Sequence, residues 1–377
     1  AIGAALAAGP MLAQADVKLY GKVHVSVDYL DARAATTNVG KSTNVTNNTS
    51  RWGIDVSEKL GGGLTAIGKL ESQIDATGDN TTDTATPQNR YVGLSGKFGT
   101  LLAGVHDTPF KDLMGATNLF GDQVGDSRNI IRQNAGAGMG ASGALATSAL
   151  RQNTLDWDLR AANAIRYQTP NMNGFLVTYL WSADVTTSTT AEDNRRKASS
   201  LSLGYSKGPL YVAYAREEHR MTDTVAPNGV ADGTPTESGQ RLAASYNFGA
   251  FKLTGLYQTL ADLGGTRNGD TKVKRSSWGL GGAYTAGNNV FKTQYYKAND
   301  FSNRFDGSSA SGTNATMWAL GWDHLFSKTA KAYVAYAKTD NSSGTAHLVN
   351  AGGHGDQVTP AVGNDPSVWS VGMILDF

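Results

Sequence analysis

The stretch VKLYGKVHVSVDY at residues 17–29 decides the fold, because its apolar and polar residues alternate one by one. The apolar residues at odd positions are Val17, Leu19, Val23, Val25 and Val27. The even positions carry Lys18, Lys22, His24, Ser26 and Asp28. This alternation predicts a β-strand with one apolar and one polar face. The strand exceeds the usual length of about five or six residues, and it suits a tilted strand that crosses a membrane.

The same alternation recurs in fifteen further segments. Seven pairs of segments are each joined by a short turn that contains turn-forming residues such as Gly, Asn or Pro, and one segment closes the chain. The pairs are 51–58 with 64–72, 90–97 with 101–106, 163–169 with 175–182, 199–206 with 210–218, 241–248 with 251–260, 277–285 with 290–298, and 316–326 with 330–339, and the last segment is 367–377. Seven short connections alternate with eight long polar ones. We therefore predict an all-β fold, a 16-stranded antiparallel transmembrane barrel with its short turns at one end.

Composition excludes several other classes. The 377 residues include no cysteine, which excludes a disulfide framework and cysteine-based zinc sites. The net charge of +1 argues against a partner such as nucleic acid. After residue 15 no apolar run reaches the ~20 residues of a transmembrane helix. A β membrane protein remains, because its lipid-facing residues alternate with polar ones.

Residues 1–15, AIGAALAAGPMLAQA, form a separate segment. They carry no charge and end in Ala13-Gln14-Ala15, a pattern typical of a signal-peptidase site. We expect these residues to be a signal-peptide remnant and residues 16–377 to form a single barrel domain. A short helix packed on the barrel is the alternative.

Aromatic residues favour the membrane interpretation. Many of them, such as Tyr20, Trp52, Tyr91, Trp278 and Phe377, lie near predicted strand ends, where rings meet the two lipid–water interfaces. The general preference of strands for aromatic residues is the competing explanation. Strands in lipid must pair every backbone N–H and C=O, so the sheet must close on itself. Barrels of this size enclose an aqueous channel.

Several segments resemble the Gram-negative general porin family, in its β-proteobacterial type. They are 50–71, 90–105 and 163–175, together with the terminal Phe377, which resembles an outer-membrane assembly signal. One departure is Val105-His106, where the family usually carries a basic residue. The resemblance implies a homotrimer in the bacterial outer membrane. It also implies contact with membrane lipid and lipopolysaccharide, and passage of small hydrophilic solutes and ions without a cofactor.

The longest gap between predicted strands, residues 107–162, is named the constriction loop here. By its position it is the third long loop, which in similar porins folds into the barrel. Its charged residues include Asp107, Asp112, Asp122, Asp126, Arg128, Arg132, Arg151 and Arg160. The small residues at 135–149 are expected to stay outside the barrel. We expect some of the acids to line the constriction, and plain solvation is the alternative.

Basic residues on the barrel wall are expected to face this loop. Alternation points Arg51, Arg166, Lys22 and Lys69 into the lumen. Arg90 shares the phase of Val92 and Leu94, so it faces the lumen only through a bulge or through its place at the start of the strand. The resemblance implies that Arg51, Arg90 and Arg166 match the positions where similar porins carry an arginine cluster on the wall facing the loop.

Basic rings favour anions, and we therefore expect a diffusion channel with some anion preference. Wall arginines that only satisfy loop carbonyls are the alternative.

Enzyme and metal motifs do not emerge. His24, Ser26 and Asp28 share one face, but residues two apart on a strand lie ~7 Å apart, too far for a catalytic triad. His354 and Asp356 lack a second pair of metal ligands. We expect no catalytic residues and no metal. The alternatives to a channel are a barrel-type enzyme and an adhesin or structural barrel without an open pore.

Overall fold

The computed structural model describes residues 15–32, 40–78, 86–132, 156–185, 196–220, 236–263, 272–303, 309–350, 354 and 360–377. Arg151, residues 1–14 and the stretch 135–149 lie outside them. The strands are β1 Asp16–Asp31, β2 Lys41–Asn47, β3 Arg51–Gly61, β4 Leu64–Gln73, β5 Thr86–Gly96, β6 Gly99–Asp107, β7 Arg160–Gln168, β8 Phe175–Ser182, β9 Lys197–Lys207, β10 Leu210–Arg220, β11 Thr236–Phe248, β12 Phe251–Ala261, β13 Arg275–Ala286, β14 Asn289–Ala298, β15 Ala315–Leu325, β16 Ala330–Asn341 and β17 Ser367–Asp376. Two short helices, α1 Pro109–Gly115 and α2 Arg128–Ile131, lie in the constriction loop.

Apart from β2 and β3, consecutive strands pair antiparallel, and β1 also pairs with β17, so the sheet closes into a barrel. The prediction of sixteen barrel strands is confirmed, because β2 and β3 together form the second one. β2 pairs with the second half of β1 and β3 with the first half. Between them Thr49 has a φ of 53°, which breaks the strand. The sequence pattern missed β2 because KSTNVTN contains a single apolar residue.

The two faces of the wall follow the predicted alternation. On β17, Trp369, Val371 and Met373 are more than half exposed on the outer face, whereas His24 and Ser26 of β1 are buried on the inner face. Two aromatic residues differ from the prediction. Tyr20 donates a hydrogen bond to Glu71, and Tyr91 stacks on His106, so both belong to the inner face. Neither described helix has the length and hydropathy of a membrane span.

The constriction loop packs against the inner face of the wall. Phe110 of α1 and Trp157 are fully buried against alanines of β10 and β11. Phe120 and Val124 are fully buried against alanines of β15 and β16. These alanines leave the space that the large loop side chains fill, since a protein interior is close-packed. The segment thus forms an apolar core inside the barrel and holds its charged residues beside the wall.

Candidate functional site

A basic pair on the wall faces the constriction loop. Lys22 of β1 and Arg51 of β3 are directly paired across the two strands. The Arg51 guanidinium lies 3.7 Å from an Asp122 carboxylate oxygen and 3.8 Å from Glu71. Within the described ranges Lys22 forms no ion pair. Arg51 is therefore compensated by two acids, and Lys22 is the less compensated member of this basic pair.

Arg166 of β7 lies between a loop acid and a histidine. Its Nη2 donates to Asp112 Oδ2 at 2.8 Å, and its Nη1 donates to His106 Nε2 at 3.0 Å. His106 can accept this bond because its Nδ1 donates to the Asp107 carbonyl oxygen at 2.9 Å, which places the proton on Nδ1. His106 is therefore a neutral residue that orients Arg166. The sequence marked His106 only as a departure from a family pattern.

Two loop acids pair with Arg128. Its Nη2 lies 2.6 Å from Asp122 Oδ1 and 2.7 Å from Asp126 Oδ2. Asp126 is fully buried and also accepts a hydrogen bond from the Asp122 backbone N–H at 2.9 Å. A third acid, Asp158, lies 3.6 Å from Arg128. These four residues are named the loop charge cluster. Asp126 is enclosed within it rather than facing the lumen.

The remaining loop acids are also paired. Asp107 lies 3.0 Å from both Lys111 and Arg160, and Arg132 pairs with Asp156. No sequence pattern singles out Lys111, Asp156 or Asp158. Their spacing within residues 107–162 was the available signal, but only the folded loop shows which charges meet.

Lys69 and Arg90 are the other wall cations. Lys69 of β4 contacts Asp55 at 2.9 Å and the Tyr20 hydroxyl at 2.9 Å. Arg90 is paired in register with Leu70, a residue of the outer face, and its Nε donates to the Glu71 carbonyl oxygen at 3.3 Å. The register of β4 and β5 does shift beside it, between Leu70 and Ser72. This irregularity precedes Arg90 in β5, so Arg90 keeps the phase of Val92.

Polar side chains of the wall hold the backbone of the constriction loop. Arg241 of β11 donates to the Phe110 carbonyl oxygen at 2.7 Å, and Gln258 of β12 donates to that of Ile131 at 2.9 Å. Gln294 of β14 donates to the Gly125 carbonyl oxygen at 2.6 Å. The loop partners of Arg241, Gln258 and Gln294 were not predicted, because alternation indicates only that these side chains face inward. The bonds fix the loop at several points around the barrel.

The arrangement suits electrostatic filtering rather than covalent chemistry. Arg51 with Asp122 and Arg166 with Asp112 form opposed pairs between wall and loop, and low-dielectric surroundings strengthen each interaction. Among the described residues no group of three or more His, Asp or Glu side chains is placed to hold a metal ion.

Comparison with known proteins agrees with this geometry. A family model described as "Gram-negative porin" matches residues 1–344. Outer membrane porin protein 32 of Delftia acidovorans is 29% identical over 350 residues, covering 91% of this chain and 90% of the relative. An outer membrane porin protein of Bordetella pertussis is 29% identical over 279 residues, covering 68% of this chain and 66% of the relative.

Solved structures give the same result. An anion-selective porin from Comamonas acidovorans superposes with a TM-score of 0.75 at 25% identity, covering 97% of this chain and 100% of that one. OmpT of Vibrio cholerae, in its trimer form, has a TM-score of 0.66 at 16% identity, covering 96% and 99%, and shares the fold. Channels are thereby favoured over an adhesin or a closed structural barrel. The chain belongs to the Gram-negative porin family and is an outer-membrane channel protein.

Proposed function

We propose that this channel passes small hydrophilic solutes by passive diffusion and prefers anions. The observation that carries the proposal is the pairing of the loop acids. Each acid in the described part of the loop contacts a cation, and Asp122 is shared between Arg128 at 2.6 Å and Arg51 at 3.7 Å. Lys22, in contrast, forms no ion pair within the described ranges. Arg51 and its neighbour Lys22 then present positive potential to a passing ion.

Two facts support this choice. Coulomb interactions act over short distances at physiological ionic strength, so the charges nearest the narrowest section dominate over the whole-chain charge. In addition, the Comamonas acidovorans porin, whose fold this chain shares at 25% identity, is described as anion-selective. Asp112 opposes the trend, because its side chain is 41% exposed beside Arg166. The preference is therefore expected to be moderate.

The test is the zero-current potential across a salt gradient for wild type and for Lys22→Gln with Arg51→Gln. We expect the anion-to-cation permeability ratio to fall about two- to fivefold, since a unit charge at contact distance contributes about 1 kcal/mol in water. Arg216→Gln is the matched control, because it removes the same kind of charge from the outer face. Cation preference in wild type, or an equal fall in the control, would refute the proposal.

We also propose that the channel assembles as a homotrimer through β1 to β6. One row of outward residues crosses these strands in register, namely Val17, Val56, Gly68, Val92 and Ala103. Small residues let two walls approach closely within lipid. No side chain of this row is larger than valine, whereas Phe251, Tyr284 and Phe291 form an outward aromatic row on β12 to β14.

Gly68→Trp is expected to lower the trimer fraction in mild detergent, because the indole would stand between two walls. The matched control is Gly282→Trp, which places the same side chain on the outer face of β13. Trimers that survive the first change and dissociate with the second would place the interface elsewhere.

A further inference from the structure

The external loop between β16 and β17 reaches the constriction loop. Residues 345–350, named the strap here, are all nearly fully enclosed, although they follow the outer end of a barrel strand. The strap is attached to β16. Asn341 Nδ2 donates to the His347 carbonyl oxygen at 3.0 Å, and the His347 N–H donates to Asn341 Oδ1 at 2.7 Å. Thr339 Oγ1 donates to the Leu348 carbonyl oxygen at 2.8 Å.

Three hydrogen bonds join the strap to the constriction loop beside α2. The Val349 carbonyl oxygen accepts from the Gly125 N–H at 2.9 Å and from Asn129 Nδ2 at 3.2 Å. His347 Nδ1 donates to the Asn129 carbonyl oxygen at 2.8 Å. Gly125 has little freedom at this contact, because a Cβ there would lie 2.5 Å from the Ala319 side chain. The strap thus meets the loop where it is already packed tightly on the wall.

The chemistry of His347 fits this contact. Its Nε2 accepts a hydrogen bond from Arg275 Nη2 at 3.1 Å, so its single proton lies on Nδ1, which faces the Asn129 carbonyl. Burial and the charge of Arg275 lower the pKa of His347 to about 3. A low pKa keeps the imidazole neutral at neutral pH, and both ring nitrogens are then satisfied.

The hydrogen bonds continue from the strap to the pore. Asn129 Nδ2, which contacts Val349, also donates to the Asp126 carbonyl oxygen at 2.8 Å. Asp126 belongs to the loop charge cluster through Arg128, and Asp122 of that cluster faces Arg51. The strap therefore contacts the part of the constriction loop that places Asp122 opposite the basic wall.

We propose that His347 is a positioning residue for ion selectivity, and that the strap sets the distance between the loop charge cluster and Arg51. The proposal deepens the anion preference inferred above and rests on the same constriction. The strap acts without contacting a passing ion. It fixes the position of Asp122, and with it the fraction of the Arg51 charge that the lumen experiences.

The experiment compares single-channel conductance and zero-current potential for wild type, His347→Ala and His347→Gln. The alanine variant loses the two side-chain hydrogen bonds of His347. We expect its permeability ratio to shift about twofold or more, because coupling energies carried by networks of packed side chains are about 0.5 kcal/mol or larger. Glutamine can donate to the Asn129 carbonyl and accept from Arg275, so it should restore the wild-type ratio. His324→Ala is the control, because His324 contacts Asn289 at the opposite end of the barrel.

A second background separates this proposal from the anion preference itself. In a channel carrying Lys22→Gln and Arg51→Gln, His347→Ala should leave the permeability ratio unchanged, since the cluster no longer faces the basic pair. If wild type prefers cations but His347→Ala still shifts the ratio, the positioning role stands and the anion preference fails. An alanine variant identical to wild type, or a glutamine variant identical to alanine, overturns the positioning role. Asn341→Ser, which frees the His347 backbone, serves if His347→Ala does not assemble.

Discussion

Arg241 shows how much one inward residue contributes to the constriction. Its guanidinium is 1% exposed and contacts the Phe110 and Trp157 carbonyl oxygens as well as Gln258. It also lies 3.9 Å from the centre of the Phe110 ring. A planar group with five donors can satisfy several acceptors at once, which a lysine cannot. One side chain of β11 therefore fixes both ends of the described constriction loop.

Arg241→Met should free the loop while filling similar volume. Each buried carbonyl left without a donor costs about 1–3 kcal/mol, and we expect the unfolding free energy of the refolded barrel to fall by that order. Open-channel current noise should rise, because the loop loses an attachment. Urea unfolding and bilayer recording measure the two effects. Arg216→Met on the neighbouring strand, where Arg216 is exposed and paired with Glu218, should change neither. Equal effects in both variants would contradict this role.

At the level of the strands, glycines pair with aromatic residues across the sheet. Gly279 is paired with Tyr296 and Gly372 with Tyr333, and a Cβ at either glycine would lie within 2.4 Å of the ring. A ring that covers a glycine buries its exposed backbone, a device known to stabilise strands. Two of the 45 glycines in the sequence thus have a structural use that composition alone did not suggest.

The closing strand uses the same device. The Phe377 ring covers Gly21 of β1, where a Cβ would lie 2.3 Å from it, and the two residues exchange backbone hydrogen bonds of 2.9 and 3.0 Å. Deleting Phe377 should therefore lower the yield of heat-stable assembled barrels in the outer membrane. Phe248→Ala, at an exposed aromatic residue of the β11–β12 turn, several strands from the closure, should assemble at the wild-type yield. Normal yield after the deletion would show that closure does not need the terminal ring.

The strands were predictable because alternation depends only on neighbours in sequence. The same rule predicted that Arg51, Arg166, Lys22 and Lys69 face the lumen, and Arg51 and Arg166 contact acids of the constriction loop. Which acid meets which cation was not predictable, because Asp122 and Arg128 meet through the loop's turns and Asp158 joins them from beyond an intervening stretch. The strap was not foreseen either, since contacts of His347 with α2 join residues more than 200 positions apart.

The whole molecule has two layers, the barrel wall and the constriction loop packed inside it. The outer layer is a regular wall whose sequence pattern is visible along nearly the entire chain. The inner layer is irregular, and its apolar clusters place Phe110 and Phe120 against different sectors of the wall. Side chains of β9, β11, β12 and β14 anchor the inner layer, so strands that carry none of the predicted wall cations still position the constriction loop.

Closure of the barrel between β1 and β17 also has a consequence for biogenesis. One edge of β1 gains its partner only after β17 has been synthesised. This pairing joins strands at opposite ends of the barrel sequence, and such long-range pairing forms slowly. Until then both terminal strands present open edges, which invite aggregation. The polypeptide must accordingly be kept unfolded in transit, and the pairing of β1 with β17 is completed in the membrane rather than during translation.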